Sequence, residues 1–293
     1  MQRYISLSTA SATDLLRLGV YYCQRLITSP WIRHCAHRVL VFVLRRRHPR
    51  LVSADARSSD AVSQFRHLGY VQLPPLLSTE QCMEMRAYLA TCTLLDSKGR
   101  GQAISLTAIP EACSVGDYPL RDVVNCPYVM ATANHQDMMG LAIDYLGFAP
   151  VITGLSLRWT FPSSAGPDKV QSFHRDCEVG SIKLMVYLTD VDANAGPHTF
   201  ARGTHLDRMP VRLRNHSDDE VRGEHVEMLG PAGTTFVIDT RGLHKGSMPR
   251  ERPRLMLGVQ YSLLPCPLFD YETVPYTGPV ELLHYVNRLM VAA

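Results

Sequence analysis

The first fifty residues are almost without negative charge. Nine Arg and no Lys stand there against one acid, Asp14, a net charge of +8. The rest of the chain reverses the balance, with 21 basic and 26 acidic residues, or −5. A basic leader therefore precedes a mildly acidic domain. Long apolar runs are also missing: no stretch reaches the roughly 18 residues that a membrane span needs. The start lacks the charged, apolar, small-residue order of a secretory signal. The eight Cys (23, 35, 82, 92, 113, 126, 177 and 266) include no C-x-x-C, which excludes a zinc ribbon or a small disulfide framework. Free thiols point instead to a reducing, cytoplasmic compartment. The basic residues gather in the leader without interleaved aromatics around the core, so no nucleic-acid partner is expected. What is present is ample apolar material for a packed core, 46% of 293 residues.

The leader is placed at residues 1–60 and the domain at 61–293. Within the leader, 14–27 reads as a helix ended by Ser29-Pro30, and 31–47 is a second basic, apolar stretch closed by Arg45-Arg46-Arg47. Such a segment suits an anionic membrane surface or a partner. It equally suits a helical extension packed on the domain with its arginines in water. Its arginine and serine content also resembles an organelle transit peptide. A small, polar run at 53–63 marks the boundary.

Beyond it, 61–68 reads as a helix stopped by Gly69, and 70–73 as a strand. Ser78 and Gln81 have capping-box spacing ahead of a helix carrying Cys82, Met85, Leu89 and Leu94. Residues 95–125 read as irregular, 128–146 as one helix closed by Gly147, and 281–291 as a terminal helix. Strand-like runs at 154–161, 182–188, 233–239 and 255–261, with turn signals between them, suggest a β-sandwich or barrel. The Pro/Gly/Ser loop 162–170 and the charged excursion 207–228 are candidate lids; His216 and His225 in the latter read as solvent-facing.

The chemistry gathers at Gln171-Ser172-Phe173-His174-Arg175-Asp176. On an extended strand, residues i and i+2 point to one face, so His174 and Asp176 can hold one ion. Two protein ligands rarely suffice, and His244 in Leu243-His244-Lys245-Gly246 is the candidate third. Two His and one carboxylate make the facial triad of non-haem Fe(II) oxygenases, which leaves three positions open. Alternation turns Cys177 to the opposite face.

Further pieces are V-Y-L-T-D-V-D-A-N-A-G-P-H at 186–198, G-T-H at 203–205, H-K-G at 244–246 and R-P-R-L at 252–255. With F-H-R-D, the chain resembles the phytanoyl-CoA dioxygenase family of Fe(II)/2-oxoglutarate oxygenases, over most of its length from about residue 65. The resemblance implies a mainly β fold with flanking helices and a double-stranded β-helix (jelly-roll, cupin-like) core. It implies Fe(II) at His174, Asp176 and His244, with 2-oxoglutarate as cosubstrate and O2 as oxidant. It also implies an arginine after the distal His for the far carboxylate of 2-oxoglutarate. That buried charge needs a partner, and the planar guanidinium provides one. Arg254 is chosen over Arg252, which reads as a solvated turn residue. Tyr187 falls where relatives carry an aromatic facing the cosubstrate. Ser247 is expected to add a hydroxyl contact, and Asp239 to orient the loop or a histidine behind the ligands, or to serve plain turn chemistry.

The implied reaction is oxidative decarboxylation of 2-oxoglutarate to succinate and CO2, with hydroxylation of an unactivated C–H bond. Related halogenases lack the carboxylate ligand, so Asp176 predicts hydroxylation, desaturation or ring change rather than halogenation. The expected partner is a small-molecule or lipid-like substrate; peripheral membrane contact through residues 1–50 stays open. Two other classes compete: a jelly-roll scaffold without catalysis, and a cupin-type metalloenzyme that needs no 2-oxoglutarate.

Overall fold

The structure is a computed structural model that describes residues 3–292 other than 7, 9, 49–58, 98–100, 165, 167–168, 177, 209, 212–213, 266–268 and 271–272. Most of the expected boundary at 53–63, and Cys177, lie outside the described residues. Among the described residues, seven α-helices flank a β core: α1 (Ala12–Leu26), α2 (Pro30–Arg47), α3 (Ser59–Leu68), α4 (Thr79–Leu89), α5 (Leu120–Asn125), α6 (Val129–Ala133) and α7 (Gln136–Leu146). The core strands are β1 (Tyr70–Leu73), β2 (Leu94–Asp96), β3 (Ala103–Ile104), β4 (Val115–Asp117), β5 (Val151–Thr160) and β6 (Ser181–Tyr187), then β7 (His198–Ala201), β8 (His225–Met228), β9 (Thr235–Ile238), β10 (His244–Gly246) and β11 (Arg254–Ser262). Eight of them form an antiparallel sheet in the order β1-β9-β6-β11-β5-β4-β2-β3, and three form a second, β10-β7-β8. The mainly β, jelly-roll expectation holds.

Strand alternation decides where polar residues go. On β6, Ile182, Leu184 and Val186 enter the large core shared with α3–α7, while Met185 and Tyr187 join Phe200, Met228 and Phe236 in a second cluster between the sheets. On β11, Leu255, Leu257, Val259 and Tyr261 go to the helix side. The alternate positions of β5, β6 and β11 line the space between the sheets, with Arg254 opposite Thr160, Met256 opposite Arg158 and Gln260 opposite Lys183. One face of the large sheet is therefore sealed by helices and the other carries polar groups.

The Ser78/Gln81 capping box forms as expected, and α7 stops at Gly147, whose φ of 83° suits a residue without Cβ. Several boundaries differ from expectation. The helix from Ser78 ends at Leu89, and Leu94 opens β2 instead. The expected helix over 128–146 is two helices. The Asn134 side chain donates to Met130 O and Leu282 O, both at 2.8 Å, competing with the helix ladder at the break. The described part of 95–125 is largely irregular, as expected, but carries β3, β4 and α5, the strands too short for periodicity to signal. The expected terminal helix is a 3₁₀ turn (Val280–Leu283) followed by chain drawn onto β5. Ile152 N–H donates to Tyr285 O at 2.7 Å, and the Ile152 carbonyl accepts from Asn287 N–H at 3.1 Å. The end of the 207–228 excursion is β8 in the small sheet. His225 is exposed as expected, whereas His216 is only half-buried, with its backbone bridged to Phe173.

Helices α1 and α2 pack on one another and, through α2, on α7. Arg33, buried, donates to Gln24 O at 2.6 Å and Ile27 O at 3.2 Å and so ties α2 to the end of α1. His37 Nε2 lies 3.0 Å from Leu146 O, and Arg45 Nε donates to Gly147 O at 2.8 Å. These two side chains satisfy the carbonyl end of α7, where positive charge is favourable. No helix among the described residues is long and apolar enough to cross a membrane.

Candidate active site

His174 and His244 are adjacent residues of an antiparallel bridge: each backbone N–H donates to the other's carbonyl at 3.0 Å. Asp176 N–H, two residues on, donates to Thr240 O at 2.9 Å. The two segments are thus clamped along their backbones, and the i, i+2 spacing turns His174 and Asp176 to one side. The ligand atoms of His174, Asp176 and His244 all lie within 4.8 Å of one another. His174 Nε2 is 3.9 Å from Asp176 Oδ1.

The imidazoles are oriented by the same device. His174 Nδ1 is 2.9 Å from Ser172 O, and His244 Nδ1 is 3.0 Å from Gly242 O. A carbonyl only accepts, so each ring carries its proton on Nδ1 and presents a bare Nε2 lone pair to the shared point. Burial lowers the His244 pKa to about 3, keeping it neutral, as a metal ligand must be. Burial opposes ionisation of Asp176, but the Lys183 ammonium overrides it and holds the carboxyl well below the usual carboxylate range. Lys183 Nζ donates to Asp176 Oδ2 at 2.6 Å. One carboxylate oxygen faces the histidines and the other is held by lysine.

Arg254 lies beside this cluster. Gly246, two residues past His244, is so close to it that a Cβ there would meet Nη2 at 2.8 Å. The guanidinium is 2% exposed. Its Nη2 reaches Thr160 Oγ1 at 3.3 Å, while Nε and Nη1 are buried without partners. A buried cation with two orphaned donors is costly unless something anionic fills the space. His198, on β7 opposite Gly246, is also buried with an unpartnered Nε2, its ring centroid 5.6 Å from that of His244. Two imidazoles and one carboxylate oxygen, without thiolate, fit Fe(II). Orphaned guanidinium donors nearby fit a carboxylate.

The remaining expectations sort as follows. Tyr187 is fully buried; its hydroxyl donates to Met228 O at 2.8 Å and accepts from His198 N–H at 2.9 Å, which also fixes β7. Burial, with Arg254 opposing it, pushes its phenol up to about 12. Arg252 is the exposed turn residue expected, paired with Asp192. Ser247 Oγ is 3.0 Å from Thr199 Oγ1. Asp239, 1% exposed, serves the loop rather than a histidine: it accepts from Arg241 and from Tyr145 OH. Sequence reading missed Lys183 and His198. Their signals were a lone lysine inside an apolar strand and a histidine directly after the Gly196-Pro197 turn.

A jelly roll with two His and one carboxylate converging between its sheets defines the non-haem metal oxygenase class. This chain belongs to the phytanoyl-CoA dioxygenase family, whose model matches residues 65–250. Fe(II), 2-oxoglutarate and O2 are the cofactors that accompany this family and this cluster. Among curated proteins none matches the chain. Solved structures share its fold. The α-ketoglutarate-dependent epimerase SnoN from nogalamycin biosynthesis is 20% identical, covers 70% of this chain and 82% of its own, and has a TM-score of 0.53. The carbocyclase SnoK from the same biosynthesis is 20% identical over 71% and 84%, with a TM-score of 0.51. HygX from Streptomyces hygroscopicus, solved with nickel and 2-oxoglutarate, is 15% identical over 75% and 91%, with a TM-score of 0.53.

Proposed function

We propose that this chain is an Fe(II)- and 2-oxoglutarate-dependent oxygenase that hydroxylates an unactivated C–H bond of a small-molecule or lipid-like substrate, releasing succinate and CO2. His174, Asp176 and His244 hold the iron. Arg254 holds the far carboxylate of 2-oxoglutarate, with His198 nearby, opposite Gly246. Tyr187 contributes its ring wall, since its hydroxyl is already engaged. The iron supplies the site at which O2 is activated for attack on a C–H bond. Lys183 engages one Asp176 oxygen at 2.6 Å and so leaves the other, which faces the histidines, free to serve as the ligand. The apolar cluster of Met185, Phe236 and Phe200 excludes water behind the site.

The observation that carries this reading is the pairing of the three-ligand cluster with a buried, partly orphaned arginine. A scaffold protein or a cupin without 2-oxoglutarate has no use for that cation. The presence of Asp176 supports hydroxylation over halogenation. We assign residues 1–60 to a leader and 61–293 to the catalytic domain, and we place the protein in the cytoplasm with peripheral membrane contact through residues 1–50.

The test is succinate release from 2-oxoglutarate by purified protein, loaded anaerobically with Fe(II) and then given O2. Slow release that disappears in His174→Ala and in Arg254→Ala supports the assignment. Failure of the wild type to bind either iron or 2-oxoglutarate returns the scaffold reading.

A further inference from the structure

Helices α1 and α2 are amphipathic in the wrong sense for a closed surface. At about 100° per residue, Leu15, Leu16, Val20, Tyr22 and Leu26 fall on one broad face of α1, and that face is turned outward. Leu16 is 70% exposed and Leu26 80%. The domain side of α1 takes only Leu18 and Tyr21 as buried residues. On α2, Trp31, Ile32, Val39, Phe42 and Val43 share a face that is also turned outward, with Trp31 73% exposed. These two helices carry ten of the seventeen exposed large apolar side chains among the described residues. A patch of this kind marks an interaction site rather than ordinary surface.

Charge narrows the occupant. Arg38, Arg46 and Arg47 are exposed beside the α2 face, and the Arg46 guanidinium stacks 4.6 Å over Phe42. A second copy of the chain would set one +8 leader against another, which is unfavourable. An anionic bilayer offers both an apolar layer for the leucines and a negative surface for the arginines.

Between the helices runs a groove of about 490 Å³, lined by Leu16, Val20, Ile27, Leu40, Val179 and Leu264 among others. That volume falls within the range of small-ligand sites. Its inner wall touches the catalytic domain near the metal cluster: Val179 lies three residues past Asp176, and its N–H donates to Gln24 Oε1 at 2.9 Å.

We propose that α1 and α2 dock on an anionic lipid bilayer with their apolar faces in the acyl layer, and that the groove between them takes one lipid acyl chain. Docking is independent of catalysis; that the captured lipid is the substrate rests on the oxygenase reading. The structure contributes three matched features: an outward apolar face on each helix, a basic border, and a groove abutting the loop that carries Asp176.

The chain has two Trp, so the full-length Trp159→Phe variant leaves Trp31 as sole reporter. With vesicles of phosphatidylcholine and phosphatidylglycerol at 7:3, Trp31 emission shifts to shorter wavelength and is quenched by brominated acyl chains. The protein sediments with these vesicles and much less with pure phosphatidylcholine. Arg38→Gln/Arg46→Gln/Arg47→Gln lowers partition on the order of 100-fold, and Leu26→Ser about tenfold. Both variants alter exposed residues and keep basal succinate release. Phosphatidylglycerol bearing a diazirine acyl chain cross-links to Val179 or Leu264. An unshifted Trp31 with no sedimentation overturns the docking, and so does a lipid-free dimer that shields Trp31. Cross-links confined to the outer faces overturn the groove. If vesicle binding fails while succinate release persists, this proposal falls and the oxygenase reading stands; the reverse pattern separates them the other way.

Discussion

Arg254→Met is expected to move cosubstrate affinity and stability of the empty protein in different directions. In the empty protein the guanidinium is 2% exposed, two of its nitrogens lack partners, and burial lowers its pKa. Replacing a buried, poorly compensated cation by an apolar side chain of similar length is neutral or stabilising. The melting temperature of the cosubstrate-free variant should therefore stay level or rise. With 2-oxoglutarate bound, the same change leaves a buried carboxylate without its partner, a loss of about 3–5 kcal/mol. At about 1.4 kcal/mol per decade this is roughly a 150- to 5,000-fold rise in Kd. The assay is anaerobic calorimetry with Mn(II) in place of Fe(II), which allows binding without turnover, alongside scanning calorimetry of the apo proteins. Near wild-type affinity in Arg254→Met would place the anchor elsewhere. A melting temperature several degrees lower would make Arg254 a structural residue. Either result refutes the reasoning.

Three further outcomes follow from the same geometry. Lys183→Met removes the 2.6 Å contact that holds Asp176 Oδ2 and should weaken Mn(II) binding about 10- to 100-fold; Lys183→Arg should recover most of it, and an unchanged Kd would remove Lys183 from the site. Gly246→Ala places a Cβ 2.8 Å from Arg254 Nη2, so KM for 2-oxoglutarate should rise while Mn(II) affinity holds; equal loss of both would instead indicate a collapsed loop. Asp239→Asn should cost about 2 kcal/mol at pH 7, discounted because Arg241 is partly exposed. Burial opposes ionisation of Asp239, but Arg241 and Tyr145 hold its pKa below 3.8. Its contribution is thus complete above that value and disappears as pH falls through the folded-state pKa. The gap between the melting curves of wild type and variant should be constant above about pH 4 and narrow progressively as the pH falls further; a gap that does not narrow on acidification would mean the carboxylate charge is not what stabilises the loop.

The sequence by itself determined whatever depends on short spacing. The two-residue step in His174-x-Asp176 dictates a shared face on extended backbone, and this holds. The capping box at Ser78 dictates a helix start, and it forms. Sequence spacing also distinguished Arg254, inside a strand, from Arg252, in the turn before it. Where two local signals competed, reading the sequence failed: Leu282, Leu283, Val286 and Leu289 keep helical spacing, yet residues 285–287 hydrogen-bond to Ile152. Asn134 likewise breaks an otherwise helical run through a contact with Leu282.

Only the tertiary structure decided the site itself. His244 lies seventy residues beyond His174, and the two meet because a mutual pair of backbone hydrogen bonds fixes their register. Lys183 reads as an oddity in an apolar strand until the fold turns it onto Asp176. Sequence separates Arg254 from Arg252, but only the fold buries its side chain beside Gly246 and Thr160. The outward faces of α1 and α2 were equally undecided, because periodicity shows that a helix has an apolar face but not what covers it. Register across sheets and the direction of a helix face are set by contacts between distant segments, and no local pattern encodes them.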